Sequence, residues 1–281
     1  MGRAPEAKTQ DPRFSPKMKK SLLAPFFMAA CIAPAALFAD ATPADDVKAA
    51  VKKLTDASGY SWKTTVTMPE NSRFRPGPTE GKTEKDGYTC VSMTMREDSK
   101  LEGIMKGDKV AVKGQDGAWK TPEEMAAARS AEGGNGGGGG GERRGPGRGF
   151  GGGRMFQNYK TPAAQADELA GKAKDLKKAD DAVSGDLPED AVKQLLSFGG
   201  RGRDGGNSGN GPDIKDAKGS VKFWLKDGAL AKMELKVSGS MSFNGNDRSL
   251  ERTTTTEISG VGSTKVEVPE EAKKKLEGAA K

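Results

Sequence analysis

The sequence predicts an α+β fold that is mainly β, with about ten antiparallel strands and with helices at the start, the middle and the end of the chain. Apolar and polar residues alternate over short stretches such as YSWKTTVTM, which starts at Tyr60, and such alternation is typical of half-buried strands. Turn signals such as Lys85-Asp86-Gly87 recur about every eight to twelve residues, as expected of a sandwich, a barrel or a strongly curved sheet. Threonine-proline pairs at Thr42 and Thr161 precede amphipathic stretches, as they do in capped helices.

The first half of the predicted domain consists of one helix and a meander of strands. Thr42 caps the helix, Pro43 fits its first position and Asp45 completes a capping box. The apolar face of this helix is formed by Val47, Ala50, Val51 and Leu54. The helix ends at Ser58-Gly59. Strands are predicted at Tyr60 to Met68, Tyr88 to Met95, Leu101 to Lys106, Val110 to Lys113 and around Trp119.

The second half is predicted to begin with helices and to return to strands. Helices start at Thr121-Pro122, Thr161-Pro162 and Pro188, and a short strand is predicted between Lys177 and Leu187. Strands follow over SVKFWL, over ALAKMELKVSGSMSF, over SLERTTTTEIS and over GSTKVEV, and a closing helix starts at Pro269. The predicted domain covers residues 42–275, with a tail at 276–281.

Two glycine-rich stretches, at 130–155 and 199–213, are predicted to be disordered loops. The first of them resembles glycine-arginine tails that bind RNA. Its four arginines are partly offset by Glu132 and Glu142, and it contains no Arg-Gly-Gly triplet. We therefore interpret it as a loop. We interpret the two stretches together as flexible connections that allow the helical segment between them to move as a lid.

The start of the chain has the pattern of a secretory signal peptide over residues 18–41. Met18 is followed by two lysines, an apolar run that extends from Leu22 to about Phe38, and small residues that suit cleavage after Ala39 or Ala41. Residues 1–17 do not suit a signal peptide, so we interpret them as a mis-assigned extension. The sequence thus predicts a protein in the periplasm or secreted after signal-peptide cleavage.

Two other interpretations of the apolar run are weaker. A membrane anchor is disfavoured because Pro25 and Pro34 interrupt the run. Lipid attachment at Cys31 is disfavoured because the seven residues that follow stay apolar, where a mature lipoprotein turns polar.

The net charge of +7 does not indicate a nucleic-acid partner. The first 39 residues carry six basic and two acidic groups, which leaves 40 basic and 37 acidic groups for the rest of the chain. A nucleic-acid-binding domain is expected to carry a basic face. The balance of charges after the signal sequence therefore argues against RNA binding.

Catalytic chemistry is poorly supported by the residue types present. The chain contains no histidine, which removes the commonest general base and the commonest zinc ligand. Once the signal peptide is removed, Cys90 is the only cysteine, so no disulfide can form within the chain. We interpret Cys90 as a strand residue rather than as a nucleophile. The sequence predicts no enzyme activity, no metal and no cofactor.

The C-terminal block of the sequence resembles the LolA-like and LppX-like families of exported lipoprotein-carrier and lipid-binding proteins. The resemblance lies in SVKFWLKDGALAKMELKV, which runs a tryptophan-bearing strand into an Asp-Gly turn, and in RTTTTEISGVGSTKVEVPEEAKKKL. It implies a curved, unclosed antiparallel barrel-like sheet with helices covering its concave face and an apolar cavity for acyl chains. The glycine-rich insertions depart from the family pattern.

Nine apolar residues on predicted strands are candidates for lining such a cavity. They are Trp62, Val66, Met68, Met93, Met95, Trp119, Trp224, Met233 and Leu235. Methionine suits surfaces that accommodate variable apolar ligands, although filling a closed core is an equally good interpretation of these residues.

The sequence predicts an exported, monomeric, non-enzymatic domain that binds a lipid, a lipoprotein acyl chain or another amphiphile. Its predicted partners are a lipid or an acylated protein, with peripheral or transient membrane contact and no nucleic acid. The alternative is a periplasmic scaffold or protein-interaction module with the same fold and no open cavity.

Overall fold

The structure is a computed structural model that describes residues 42–70, 72, 75–95, 99–132, 152–197, 213–243 and 246–278. The predicted signal peptide, residues 133–151 of the first glycine-rich stretch and residues 199–212 of the second lie outside the described residues.

Six helices and eleven strands make up the described part of the chain. The helices are α1 (Pro43–Asp56), α2 (Pro122–Glu132), α3 (Gly152–Gln157), α4 (Pro162–Lys172), α5 (Glu189–Ser197) and α6 (Glu270–Gly278). The first six strands are β1 (Gly59–Thr67), β2 (Thr79–Glu84), β3 (Thr89–Thr94), β4 (Lys100–Lys106), β5 (Lys109–Lys113) and β6 (Trp119–Lys120). The remaining strands are β7 (Lys174–Ala179), β8 (Ala182–Leu187), β9 (Asp213–Lys226), β10 (Ala229–Phe243) and β11 (Asn246–Ser259).

All eleven strands belong to one antiparallel sheet in the order β6-β5-β4-β3-β2-β1-β11-β10-β9-β8-β7. Strands β6 and β7 form its two edges, so the sheet is not closed. The pairing of β1 with β11 joins the N-terminal meander to the C-terminal hairpins. This arrangement confirms the predicted fold class, which is mainly β with helices packed on an open antiparallel sheet.

Each face of the sheet carries its own apolar cluster. The inner face is defined here as the side on which α1, α3, α4 and α5 pack, and its cluster includes Val51, Phe156 and Phe223. The outer face is the opposite side, where α6 places Ala272 and Leu276 against the first half of the sheet. Because α6 and α3 contact β4 and β5 from opposite faces, these two strands are packed on both sides.

One row of inner-face residues crosses eight strands in register. It consists of Val183, Phe223, Met233, Thr256, Thr64, Thr79, Met93 and Leu101. The row is apolar towards both edges and has threonines in the middle, where the hydroxyls of Thr64 and Thr256 lie 2.9 Å apart and are hydrogen-bonded. Thr256 is only 1% exposed, so this bond satisfies a hydroxyl group that has no access to water.

The structure differs from the sequence-based prediction in four local elements. Strand β2 (Thr79–Glu84) was not predicted, because no strand was assigned between Met68 and Tyr88. Residues 177–187 form the hairpin β7–β8 rather than one strand, with Asp180 at a positive φ of 53° in the turn. The predicted strand over GSTKVEV is wrong: the stretch is turn and irregular structure, and the Val266 N–H donates to the Glu84 carboxylate at 2.8 Å instead of pairing in a sheet. Both ends of the predicted loop at 130–155 are helical, since α2 ends at Glu132 and α3 begins at Gly152.

Candidate functional site

The helices cover the inner face in two separate groups of contacts. Helices α1 and α5 pack on β9 and β10, and α3 packs on β4 and β5. Helix α4 lies mainly against α1. The four central strands of the sheet, which are β11, β1, β2 and β3, lie between these two groups. Among the described residues, the inner face therefore has two covered flanks and a centre with less helical cover.

Burial along the central strand β1 decreases from its start to its end. Tyr60 and Trp62, near the start, are 4% and 3% exposed, whereas Thr64 and Val66 are half-buried. We use the name central strip for seven neighbouring half-buried residues on the inner face of the central strands or directly after them. The central strip consists of Thr64, Val66, Met68, Thr79, Met93, Met95 and Thr254.

The register of the strands places the members of the central strip side by side. Val66 pairs with Thr254 across β1 and β11, and Thr79 pairs with Met93 across β2 and β3. Met68 directly follows the last residue of β1, and Met95 directly follows the last residue of β3. The central strip thus presents one valine and three methionine side chains together with three threonines.

An aromatic group closes the central strip at the start of β1. The centroid of the Trp62 ring lies 5.6 Å from that of Tyr60 and 6.4 Å from that of Tyr159. Trp62 Nε1 also donates a hydrogen bond to the Tyr159 hydroxyl at 3.2 Å. Burial raises the pKa of Tyr159 to about 12. Tyr159 follows α3 and precedes α4, so the contact ties the helical segment to the sheet.

The nine candidate residues fall into three groups in the structure. Four of them, Val66, Met68, Met93 and Met95, belong to the central strip. Trp62, Met233 and Leu235 are also on the inner face, but they are at most 3% exposed and fill the core cluster.

The other two candidates, Trp119 and Trp224, lie on the outer face. Trp119 packs with the α6 residues Ala272 and Leu276. Trp224 has the amine nitrogens of Lys222 and Lys232 each 4.8 Å from its ring centroid. Because Phe223 is fully buried on the inner face, the residue next to it on the same strand must point outward. The structure therefore does not bring these two tryptophans together with the other seven residues.

Sequence analysis missed Arg252, a charged residue on the inner face. It pairs with Val237 of β10 and lies two positions before Thr254 on β11. Its side chain is half-buried, and burial lowers the pKa of its guanidinium group. The signal was present in RTTTTEIS, because strand alternation puts Arg252 in phase with Thr254 and Thr256.

Cys90 lies on the outer side of β3, next to the cluster formed with α6. Burial raises the pKa of its thiol from 9.0 to about 11. No reactive microenvironment of the kind that lowers a thiol pKa is therefore present at this residue.

Alkylation of Cys90 in the folded protein at pH 8 is expected to be roughly a hundred-fold slower than in the unfolded chain, because only the thiolate reacts. Iodoacetamide labelling with peptide mapping, in buffer and in urea, measures the ratio. Since the folded-state pKa is the higher one, the contribution of this thiol to stability is complete below pH 9 and is lost as the pH rises towards 11. Equal labelling rates in the two conditions would contradict the burial of this thiol.

The described residues contain no group of three or more Cys, Asp or Glu side chains placed to hold a metal ion. Two open clefts, of about 530 and 510 Å³, lie beside α1 and are lined in part by Lys52 and Asp56. Neither cleft includes a residue of the central strip. In the part of the chain that the structure describes, no helix is both long and apolar enough to cross a membrane.

The elements described above define an open antiparallel sheet with helices on its inner face and a half-buried apolar strip between them. No protein-family model matches the sequence, and no curated protein matches it.

Two solved structures resemble this fold at low sequence identity. The lipoprotein LppX of Mycobacterium tuberculosis is 10% identical, with a TM-score of 0.41, over 82% of this chain and 100% of the LppX chain. LprF from Mycobacterium bovis is 11% identical, with a TM-score of 0.40, over 82% of this chain and 97% of the LprF chain.

Proposed function

We propose that the protein is an exported, non-enzymatic domain that binds a lipid, a lipoprotein acyl chain or another amphiphile, with the apolar chain of the ligand lying along the central strip. The observation that carries this proposal is the division of the helical cover, which leaves a half-buried apolar strip between two packed flanks of the inner face. Apolar concave surfaces with a few polar groups are the usual sites for such ligands.

The composition of the central strip supports this proposal. Its three methionines are unbranched and polarizable, so they can adapt to apolar chains of different shape. From Thr64 to Met68 the strand rises by roughly 13 Å at about 3.3 Å per residue, which is long enough to hold a substantial part of an acyl chain. The threonines Thr64, Thr79 and Thr254 keep the strip from being wholly apolar, so it can remain half-buried in the absence of ligand.

Export and the absence of catalysis are supported by the sequence. The basic and then apolar stretch that begins at Met18 has the order of a secretory signal peptide. The chain lacks histidine altogether, and the Cys90 thiol has a raised pKa. A binding role requires neither a general base nor an activated nucleophile.

A negative charge in the central strip is expected to abolish binding of an apolar chain, because an acyl chain would then desolvate a carboxylate. Val66→Asp introduces this charge on the inner face, and Thr65→Asp introduces the same charge at the neighbouring, exposed position on the outer face. Native mass spectrometry of both variants and of the unmodified protein, purified from their own envelope without detergent, measures the bound mass. We expect bound mass in the unmodified protein and in Thr65→Asp, and its loss in Val66→Asp.

Circular dichroism and thermal unfolding establish that both variants are folded before binding is compared. Bound mass retained by a folded Val66→Asp protein would exclude the central strip as the site. The absence of bound mass from all three proteins would favour the alternative of a scaffold or protein-interaction module with a closed core.

A further inference from the structure

Arg252 is a cation held among apolar groups on the inner face of the sheet. Its cross-strand partner Val237 is 2% exposed, and the half-buried Leu195 and Leu196 of α5 pack against the same core cluster. Placing a guanidinium group in such surroundings is costly unless an anion and further hydrogen bonds compensate for the lost hydration.

The hydrogen bonding of Arg252 is incomplete within the described residues. Its Nη2 donates to the Leu195 carbonyl oxygen at 3.0 Å, near the C-terminal end of α5. Its Nε is buried and has no hydrogen-bond partner, and no carboxylate in the described part of the chain forms a salt bridge with it. A guanidinium group carries five N–H donors in a planar fork, and within the described residues the Leu195 carbonyl oxygen is the only acceptor that bonds to it.

The position of Arg252 relates it directly to the central strip. Arg252 and Thr254 lie on the same face of β11, about 7 Å apart by the usual strand rise. Thr254 pairs in turn with Val66. By its position on β11, Arg252 thus adjoins one end of the strip, and the aromatic group around Trp62 lies at the other end.

We infer that Arg252 binds the acidic headgroup of an anionic amphiphile whose apolar chain lies along the central strip. This inference rests on the proposed function and narrows it to ligands with a phosphate, sulfate or carboxylate group. Arginine suits such groups because its fork can donate two parallel hydrogen bonds to one anion.

An amphiphile fits the site better than a small inorganic anion does. A free phosphate would lose its hydration beside Val237 and Leu195 and would gain only the contact with one cation. An amphiphile makes the same charge-assisted hydrogen bonds and in addition buries its apolar chain, which is favourable in proportion to the area removed from water.

The test compares probes that share one apolar chain and differ in headgroup. Dodecyl phosphate, dodecyl maltoside and dodecyltrimethylammonium are titrated below their micelle concentrations by calorimetry, with inorganic phosphate as a probe that lacks the chain. The variants are Arg252→Met, which removes the charge, Arg252→Lys, which keeps the charge without the fork, and Arg248→Met as a matched control. Arg248 lies on the same strand as Arg252 and is exposed.

The unmodified protein and Arg248→Met are expected to bind dodecyl phosphate at least ten-fold more tightly than dodecyl maltoside. Arg252→Met is expected to bind the two probes equally, with unchanged affinity for the maltoside, and Arg252→Lys is expected to retain part of the preference. Because the charge is replaced by an apolar group, Arg252→Met should unfold at the same temperature as the unmodified protein or at a higher one.

Four results would overturn the inference. A preference for dodecyl phosphate that persists in Arg252→Met would assign the headgroup to another residue. Inorganic phosphate bound as tightly as dodecyl phosphate, and dependent on Arg252, would show a small-anion site instead. Failure of every dodecyl probe to bind the unmodified protein would overturn the proposed function itself, whereas equal binding of all headgroups would overturn only the role of Arg252.

Discussion

Replacing Phe156 by alanine is expected to lower the free energy of unfolding by about 3–5 kcal/mol, the usual cost of removing a fully buried phenylalanine side chain. Phe156 is 1% exposed and belongs to α3, a helix of six residues. Its ring lies directly on Gly103 of β4, where an added Cβ would be 2.7 Å from three ring atoms. A helix this short has no stability of its own, so the contact between Phe156 and Gly103 fixes α3 on the sheet.

Urea denaturation followed by circular dichroism measures the effect of Phe156→Ala. Met155→Ala is the matched control, because Met155 precedes Phe156 on the same helix and is 37% exposed. We expect the control to change the free energy of unfolding by less than about 0.5 kcal/mol, as most surface substitutions do. Equal effects of the two substitutions would mean that α3 does not pack on β4.

The elements with strong local signals could be predicted from the sequence. Thr42 caps α1, its side chain and that of Asp45 form a capping box, and Pro43 occupies the first turn. The four apolar residues predicted on one face of this helix are all buried. The Thr161 hydroxyl likewise accepts from the Ala164 N–H at the start of α4. Caps and periodicity are local properties, and tertiary packing agrees with them at these sites.

The elements that were missed depend on contacts distant in the sequence. Helix α3 follows a glycine-rich stretch, and only its packing through Phe156 distinguishes it from a loop. Strand β7 is an edge strand in which five of six residues are exposed, so its sequence KDLKKA shows no alternation. Lysine-rich edge strands are common because they discourage pairing with other chains.

The candidate site was predicted in part, and strand alternation explains both the success and the limits. Alternation places Val66 with Met68, and Met93 with Met95, but it does not indicate which face of the sheet is covered by helices. That choice is set by tertiary packing, which puts Trp224 outside and Phe223 inside. Arg252 was passed over because a charged residue is expected on the solvent side of a strand.

Replacing Gly81 by alanine is expected to destabilise the fold by about 3 kcal/mol, at the upper end of the usual range for overpacking a core. A Cβ at this position would lie 2.1 Å from the indole ring of Trp62, which packs across the glycine from the neighbouring strand. The indole cannot simply move aside, because it is 3% exposed, lies between the rings of Tyr60 and Tyr159, and donates a hydrogen bond to the Tyr159 hydroxyl.

Thermal and urea unfolding of Gly81→Ala measure this effect, and Gly171→Ala is the matched control. Gly171 lies in α4, and nothing would contact an added Cβ there, so its replacement should be neutral or should stabilise the helix by up to about 1 kcal/mol. A double-mutant cycle with Trp62→Val tests the cause. If the steric conflict with the indole is responsible, the cost of Gly81→Ala should largely disappear in the Trp62→Val background, giving a coupling energy well above the additive limit of about 0.5 kcal/mol. Additive effects would instead place the cost of Gly81→Ala in the backbone of β2, and the aromatic closure of the central strip would then not depend on a glycine opposite Trp62.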